Sequence, residues 1–263
     1  MRSAVSFKRR SESFLGRAGV YRPARRAYQR LLNHEHHGWR REARHFYRQF
    51  VPKGGLVFDV GANVGVYSEV YLELGASVVA VEPNPELADR LRLRCGSRRF
   101  SVEQVALSDT DGEGELRLGI DLAHSSISDE WVDLVRSDED LPERWNGSVT
   151  VPITTLDALI ARHGVPDFVK IDVEGAERDV LSGLSQAVPA ISFEFQCPAL
   201  DIARDCVAKL QSLGDYELCY GDGEQVKLSL SEWVDAETLF GQLEAMKSRH
   251  YKGHGDIYLR RLG

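Results

Sequence analysis

One short segment of the chain, DVGANVG at 59–65, has the residue types of a ligand-binding loop. It leaves an apolar run and enters a helical pattern. Gly61 and Gly65 allow a tight turn and let a ligand approach the backbone closely. The N-terminus of the following helix offers free N–H groups to a negative ligand group. Glu82 ends the next apolar run, where a carboxylate can accept hydrogen bonds from ribose hydroxyls. The loop and Glu82 together predict a site for an adenosine-containing cofactor.

The spacing within the loop indicates which cofactor this is. A dinucleotide pyrophosphate is typically held by the pattern G-x-G-x-x-G. Here the glycines are Gly61 and Gly65, and Asp59 stands two residues before the first of them. A carboxylate at that position would repel a pyrophosphate, whereas it would attract the ammonium end of S-adenosylmethionine (SAM). The loop therefore predicts SAM, with a plain strand-to-helix turn as the alternative.

Strand-like and helix-like segments alternate around this loop. Predicted strands lie at 56–62, 77–83, 100–108, 114–119, 166–175 (with its loop), 190–195, 216–221 and 256–261. Predicted helices lie at 30–50, 64–75, 85–95, 155–164, 176–187, 199–213 and 231–248. Apolar strands that alternate with helices are typical of an α/β fold with a doubly wound, mostly parallel sheet. Ligands in such folds bind beyond the carboxyl ends of the strands, so functional residues are expected there.

The charge is distributed unevenly, and this suggests two regions. Residues 1–50 hold 13 Arg and Lys against 3 Glu, a net charge of +10. Because the whole chain carries −7, the remainder carries −17. We therefore predict a basic helical N-terminal extension at 1–52 and an α/β domain at 53–263 with a polar insert or lid at 121–148. The extension is expected to bind the acidic domain or a second copy, which would form a homodimer. Nucleic acid is the less favoured partner, since no aromatic-interleaved basic motif is present.

Several classes of protein are excluded by composition. No apolar run approaches the length of a membrane-spanning helix, and the arginine-rich N-terminus lacks the apolar core of a signal peptide. Cys95, Cys197, Cys206 and Cys219 form no CxxC pair, so we expect reduced thiols and a cytoplasmic protein. Only 7 Lys accompany 26 Arg, which is typical of a GC-rich bacterial genome.

Five segments taken in order resemble the signatures of the FkbM family of SAM-dependent methyltransferases. They are VFDVGANVGVYS, VAVEPNP, VALSDTDGEGEL, VKIDVEGAERDVL and ISFEF. The resemblance covers about residues 56 to 195 and leaves out the first 50 residues and the insert. It implies a seven-stranded, Rossmann-like class I methyltransferase sheet whose last strand is antiparallel. It also implies O-methylation of a hydroxyl group on a sugar, glycan, glycolipid or polyketide.

The resemblance also implies roles for individual residues. Asp59, Gly61, Asn63 and Gly65 would line the methionine part of SAM. Glu82 would hold the ribose, with Pro83 and Asn84 shaping the loop. The adenine would lie near the segment of Ala106, Leu107, Ser108 and Asp109. Asp172 would stand where the methyl group meets the acceptor.

Methyl transfer to an aliphatic hydroxyl needs a base or a metal ion, because the neutral hydroxyl is a poor nucleophile. The candidate acids at the expected sheet edge are Asp172, Glu174, Glu177 and Glu194. Asp172 and Glu194 end neighbouring strands, so they could hold Mg²⁺ or Mn²⁺ through oxygen ligands. Glu177 is expected to cap its helix, an ordinary structural role. His124, in the insert, is a further candidate base, with simple exposure as the alternative.

The sequence favours a SAM-dependent O-methyltransferase acting on a sugar, a glycan or a glycosylated metabolite. The first alternative is methylation of a polyketide or another small natural product, since the fold does not decide between acceptors. An RNA methyltransferase is less favoured, because the acidic domain would repel a phosphate backbone. A binding protein with a degenerate cofactor site is disfavoured by the intact Asp59, Gly61, Gly65 and Glu82.

Overall fold

The structure, a computed structural model, describes residues 37–119, 145–223, 225–250 and 253–262. The strands in these ranges are β1 (Leu56–Val60), β2 (Ser77–Val81), β3 (Phe100–Glu103), β4 (Ala106–Leu107), β5 (Gly112–Gly119), β6 (Trp145–Thr154), β7 (Phe168–Ile171), β8 (Ala190–Gln196), β9 (Tyr216–Asp222) and β10 (His254–Arg261). The α-helices are α1 (His37–Tyr47), α2 (Val66–Leu74), α3 (Pro85–Arg94), α4 (Leu156–His163), α5 (Glu177–Ser182), α6 (Leu200–Leu213) and α7 (Ala236–Arg249).

Seven of the described strands form one sheet in the order β3-β2-β1-β7-β8-β10-β9. The pairs from β3 through β8 are parallel, and β10 runs antiparallel to both of its neighbours. This confirms the predicted doubly wound, mostly parallel sheet with an antiparallel last strand. The strand order reverses between β1 and β7, so their carboxyl ends flank the crevice where such folds bind ligands.

Helices cover both faces of this sheet because its strands are apolar on both sides. Val169, Ile171 and Phe193 lie on one face, in a cluster with α4 to α7. Val57 and Phe168 lie on the other face, with α1 and α2. Alternate residues of a strand point to opposite faces, so both halves of each central strand must be apolar to be buried in this way.

Helix α1 belongs to the core of the α/β domain. Tyr47 and the following Phe50 are buried, and the Phe50 ring stacks on Phe168 and Tyr258 at 5.2 and 5.4 Å between centroids. The predicted boundary after residue 52 is therefore not a boundary between packing units, because these aromatic rings cover the sheet. Residues 1–36 of the predicted extension lie outside the described residues.

A second, three-stranded sheet was not predicted. The expected strand at 100–108 is broken into β3 and β4, and β4 leaves the main sheet to pair with β6, which also pairs with β5. Strand β6 begins at Trp145, within the insert predicted at 121–148, so the insert ends earlier than expected. The alternation of Val149, Val151 and Ile153 is the period-two signal of a strand. Residues 120–144 lie outside the described ranges.

Two further features bear on the class of the protein. All four cysteines are buried and none forms a disulfide. Within the described parts of the chain, no helix combines the length and the hydrophobicity needed to cross a lipid bilayer.

Candidate active site at the carboxyl edge of the sheet

The loop between β1 and α2 is built around left-handed backbone conformations. Gly61, Asn63 and Gly65 have φ angles of 77°, 51° and 81°. A Cβ atom at Gly61 would lie 1.8 Å from the backbone oxygen of Asp172, so glycine is required there. This close approach brings the loop after β1 into contact with the loop after β7. The predicted ligand-binding loop is therefore adjacent to Asp172, the residue predicted to stand where the methyl group meets the acceptor.

Glu82 joins this loop to the one after β2. Its side chain is buried, and its two carboxylate oxygens accept hydrogen bonds from the backbone N–H groups of Asn63 and Asn84, both at 2.9 Å. Burial raises the pKa of Glu82 to about 7, although these two hydrogen bonds act to lower it. The side chain of Asn84 is used locally, since its oxygen accepts the N–H of Glu86 and caps α3. Pro83 stands between Glu82 and this cap.

Asp59 lies below the loop rather than at an open surface. It is 2% exposed and accepts a hydrogen bond of 2.5 Å from the hydroxyl of Ser68 on α2. Burial raises the pKa of Asp59 to about 6, while the Ser68 hydrogen bond and the charge of Lys170 act to lower it. The predicted contact of Asp59 with a cofactor thus depends on a carboxylate that already has a protein partner.

The loop residues fit an adenosine-containing group. The side-chain oxygen of Asn63 is buried and has no hydrogen-bond partner within the described parts of the chain. A buried acceptor without a donor is unfavourable unless a ligand or water supplies one. Glu82, next to Asn63, keeps acceptor capacity on both oxygens after the two backbone hydrogen bonds. Asn63 and Glu82 could therefore receive ribose hydroxyls or an amino group.

The segment predicted to lie near the adenine is largely part of the core. Ala106 and Leu107 form β4, and their side chains are buried in two apolar clusters. The backbone N–H of Ser108 donates to the oxygen of Thr154 in β6, at 3.0 Å. The side chains of Ala106 and Leu107 are thus not available to a ligand, because β4 packs within the second sheet. Asp109 follows at an exposed position.

A second group of acids lies across β7, β8 and β10. Asp256 of β10 lies opposite Glu194 of β8 in the antiparallel register. Ile171 lies opposite Phe193, so the next residues on these two strands, Asp172 and Glu194, are neighbours. Because side chains alternate along strands, Asp172, Glu194 and Asp256 share one face at the carboxyl edge. Asp172 and Glu194 were predicted at this edge. Asp256 was not, although it is an acid near the start of an apolar strand.

A buried lysine compensates part of this negative charge, and it too was missed by the sequence analysis. Lys170 is 2% exposed on β7, and its amine lies 3.1 Å from Asp172 and 3.6 Å from Asp256. Burial by itself would lower the pKa of Lys170, but these carboxylates raise it well above its usual value. The available signal was a lysine within the apolar run FVKI.

The predicted metal site at Asp172 and Glu194 does not fit this arrangement. The carboxylate of Asp172 accepts a hydrogen bond from the ammonium of Lys170. Within the described ranges, no group of three or more His, Cys, Asp or Glu side chains has a metal-binding arrangement. Burial and the negative charge of Asp172 raise the pKa of Glu194 well above its usual value, which favours a protonated side chain.

The loop after β7 also holds Glu174 and Glu177. Glu177 is buried and accepts the backbone N–H groups of Val173 and Gly175, both at 3.3 Å. Both donors belong to the turn before α5, and α5 has no side-chain cap, so Glu177 holds this turn and does not cap the helix as expected. Burial raises the pKa of Glu177 to about 7. Glu174 takes a left-handed conformation with φ of 53° within the same turn. The candidate base His124 lies outside the described residues.

Residues 59–212 match the model of the Methyltransferase FkbM domain. The chain belongs to the FkbM methyltransferase family. The match begins at Asp59, the first residue of the glycine loop, includes Glu82, Asp172 and Glu194, and ends within α6, so Asp256 lies outside it. The FkbM resemblance predicted from the five sequence segments is therefore confirmed.

Two curated methyltransferases are similar to this chain, and one of them is named after its acceptor. The chain is 29% identical over 140 residues to the hexuronic acid methyltransferase AglP of Haloferax volcanii, covering 52% of this chain and 53% of that protein. It is 31% identical over 158 residues to the 2-O-methyltransferase NoeI of Sinorhizobium fredii, covering 52% and 60%. The chain thus spans little more than half the length of the curated relatives it matches.

Solved structures give weaker likenesses to this FkbM chain. The methyltransferase FkbM of Methylobacillus flagellatus KT is 14% identical with a TM-score of 0.47, covering 82% of this chain and 50% of that one. A SAM-dependent O-methyltransferase of Thermotoga maritima is 12% identical with a TM-score of 0.41, covering 85% and 65%.

Proposed function

We propose that this protein transfers a methyl group from SAM to a hydroxyl group of a sugar, a glycan or a glycosylated metabolite. The observation that carries the proposal is the contact between Gly61 in the cofactor loop and the backbone of Asp172. It puts a SAM-type loop directly beside an acid at the same edge of the sheet. The name of one curated relative, a hexuronic acid methyltransferase, supports a sugar acceptor, and the name of the other supports transfer to oxygen.

The loops after β1 and β2 would hold the cofactor. SAM supplies a methyl group on a positively charged sulfur, which an acceptor oxygen can attack without covalent help from the protein. Glu82 would accept hydrogen bonds from the ribose hydroxyls, and the buried oxygen of Asn63 would accept a further donor. Because both residues are already held by neighbouring loops, little ordering is needed when the cofactor binds.

The acids at β7 and β8 would act on the acceptor. The side chain of Asp172 is 38% exposed and accepts a hydrogen bond from Lys170, so it is the best-placed general base. It would take the hydroxyl proton as the bond from the acceptor oxygen to the methyl group forms and the bond from sulfur to that methyl group breaks, which leaves S-adenosylhomocysteine. Burial raises the pKa of Glu194 well above its usual value, which favours the protonated form, and this form would donate a hydrogen bond to the acceptor. Two neighbouring acids would thereby take different roles.

Other acceptors are less well supported. Hydroxyl groups of small natural products would suit the same chemistry, and they remain the alternative. An RNA acceptor would bring phosphates toward Asp172 and Asp256, which is unfavourable for like charges.

The first experiment measures cofactor binding and turnover in the full chain. Calorimetric titration with SAM and with S-adenosylhomocysteine should give one saturable site per chain. Methyl transfer from radiolabelled SAM is then assayed on neutral sugars, uronic acids, phenolic natural products and RNA. Transfer to sugars supports the proposal. Binding without transfer to any sugar, or transfer to RNA alone, contradicts it.

The role of Asp172 as the general base can be tested with a single variant. Asp172→Asn should lower kcat by about 1000-fold, because removing a general base costs roughly two to four orders of magnitude. The affinity for SAM should stay near that of the wild type. Asp205→Asn is the matched control, since Asp205 is also paired with a basic residue, Arg178, but on the exposed side of α6. Equal activity of the two variants would exclude Asp172.

We also propose a cytoplasmic homodimer. The buried, unpaired thiols support a reducing compartment, and the +10 charge of residues 1–50 against −17 elsewhere supports pairing of the arm with an acidic partner surface. Light scattering of the full chain should show a dimer at low salt that weakens at high salt. A monomer at low salt would exclude this assembly.

A further inference from the structure

A buried lysine in the middle of the central sheet is the least expected side chain of this site. Lys170 lies on β7 between Asp59 of β1 and Ser192 of β8, its partners in the register. It is 2% exposed, although an ammonium group loses much solvation free energy when it is buried. Lysines are almost never fully buried unless they are paired, so its pairing is the feature to explain.

The amine of Lys170 bridges two strands that are distant in the sequence. It donates a hydrogen bond of 3.1 Å to one oxygen of Asp172, at the end of β7. It also lies 3.6 Å from an oxygen of Asp256 on β10 and 4.8 Å from the centre of the Tyr67 ring. The other oxygen of Asp256 accepts the hydroxyl of Tyr258 at 3.2 Å. Asp256 and the Tyr67 ring thus fix the position of the amine that donates to Asp172.

The exposure of these three charged groups increases in one direction. The side chains of Lys170, Asp256 and Asp172 are 2%, 17% and 38% exposed. The network therefore runs from the interior of the sheet to its carboxyl edge, and Asp172 is its most exposed member. A hydrogen bond from a buried and immobile donor restricts the rotation of the carboxylate that it reaches.

Stability alone is a poor explanation for this arrangement. Replacing a buried ion pair with apolar side chains of similar volume is often neutral or stabilising. Uncharged side chains at both positions, such as methionine at 170 and asparagine at 256, would fill nearly the same volume without burying charge. A lysine in that position is therefore better explained by what it does to Asp172.

We propose that Lys170 is a positioning residue that, held by Asp256, orients the carboxylate of Asp172 toward the acceptor hydroxyl. The inference rests on the proposed methyltransferase function. Lys170 would not touch the acceptor. Its contribution is geometric, since a base displaced by about 1 Å can lose roughly 100-fold in rate.

Three variants of the full chain test this. Lys170→Met should lower kcat about 100-fold, with the acceptor KM and the SAM dissociation constant within about threefold of wild type. Lys170→Gln keeps an N–H donor and should lose less than Lys170→Met. Asp256→Asn keeps Lys170 but weakens the contact that fixes its amine, and should lower kcat about tenfold. The control is Lys53→Met, since Lys53 is exposed at the opposite edge of the sheet.

The split between kcat and binding distinguishes positioning from a merely structural role. If Lys170→Met and Asp256→Asn keep wild-type kcat, or lose kcat and SAM affinity in parallel, the inference is overturned. If Lys170→Met does not fold, Asp256→Asn decides by the same criterion. If the proposed function is wrong, the wild-type protein itself shows no methyl transfer, which is a separate result. That result would also contradict this inference.

Discussion

Acids at the two halves of the sheet edge are held by different kinds of partner. At β1 and β2, Glu82 accepts backbone N–H groups from nearby loops, and Asp59 accepts a hydroxyl from the next helix. At β7 and β10, Asp172 and Asp256 are held by a buried amine on the central strand. The first half uses neutral dipoles from residues close in sequence, and the second uses a full charge that joins remote strands.

The difference matches the chemistry proposed for each half. A ribose requires acceptors in fixed positions, and backbone N–H groups hold Glu82 without neutralising it. The acids proposed to act on the acceptor lie close to one another, and the ammonium of Lys170 offsets part of their negative charge. The halves meet at two places. Gly61 touches the backbone of Asp172, and Asp59 is the register partner of Lys170.

The largest effect is expected where the two halves meet. Gly61→Ala should lower the free energy of unfolding by about 3 kcal/mol or more, because the new Cβ would collide with the Asp172 backbone in a left-handed conformation. Gly54→Ala is the matched control, since Gly54 has φ of 81° but no atom within 4 Å of the added Cβ. It should lose only about 1 kcal/mol. Urea denaturation measures the free energy of unfolding of both variants. Similar decreases in the two would show that the contact between Gly61 and the Asp172 backbone is unimportant.

The cofactor half can be tested on its own through Glu82. Glu82→Gln should weaken SAM binding about 30-fold, or about 2 kcal/mol, because charged acceptors form stronger hydrogen bonds with ribose hydroxyls. Glu86→Gln, an exposed acid at the start of α3, is the control. Calorimetry gives the dissociation constants. Unchanged affinity in Glu82→Gln would place the ribose elsewhere.

The pH dependence of SAM binding follows from the same residue. Burial raises the pKa of Glu82 to about 7, so the carboxylate is mostly protonated below that pH and mostly ionised above it. If the ribose hydroxyls donate to the ionised form, affinity should increase about tenfold from about pH 6 to about pH 8. Glu82→Gln should remove most of this dependence. Affinity that falls with rising pH would contradict the assignment.

The smallest expected effect concerns the acceptor half. A glucoside should have a kcat/KM about fivefold higher than the matching glucuronide at low salt, because the carboxylates of Asp172 and Asp256 repel another anion. The ratio should shrink at high salt. A preference for the glucuronide at low salt would show that a cationic group elsewhere determines acceptor choice.

Local patterns were enough to predict most elements of the main sheet. Apolar runs with period two and helices with period 3.6 depend on neighbouring residues, so strands β1, β2 and β8 were found close to their observed bounds. Strand β6 was missed because its alternating residues adjoin a polar insert. The break between β3 and β4 was missed because both lie in one continuous β-like stretch, and only pairing partners distinguish them.

The sequence by itself determined the fold class, the family and the glycine loop with Glu82, because these depend on residue types at short spacing. Tertiary structure decided which side chains are accessible and which charges meet. Leu107 was predicted near a ligand but is buried by pairing with β6. Lys170 meets Asp256 only because β8 and β10 assemble beside β7. Such contacts join residues far apart in the chain, so no local pattern encodes them.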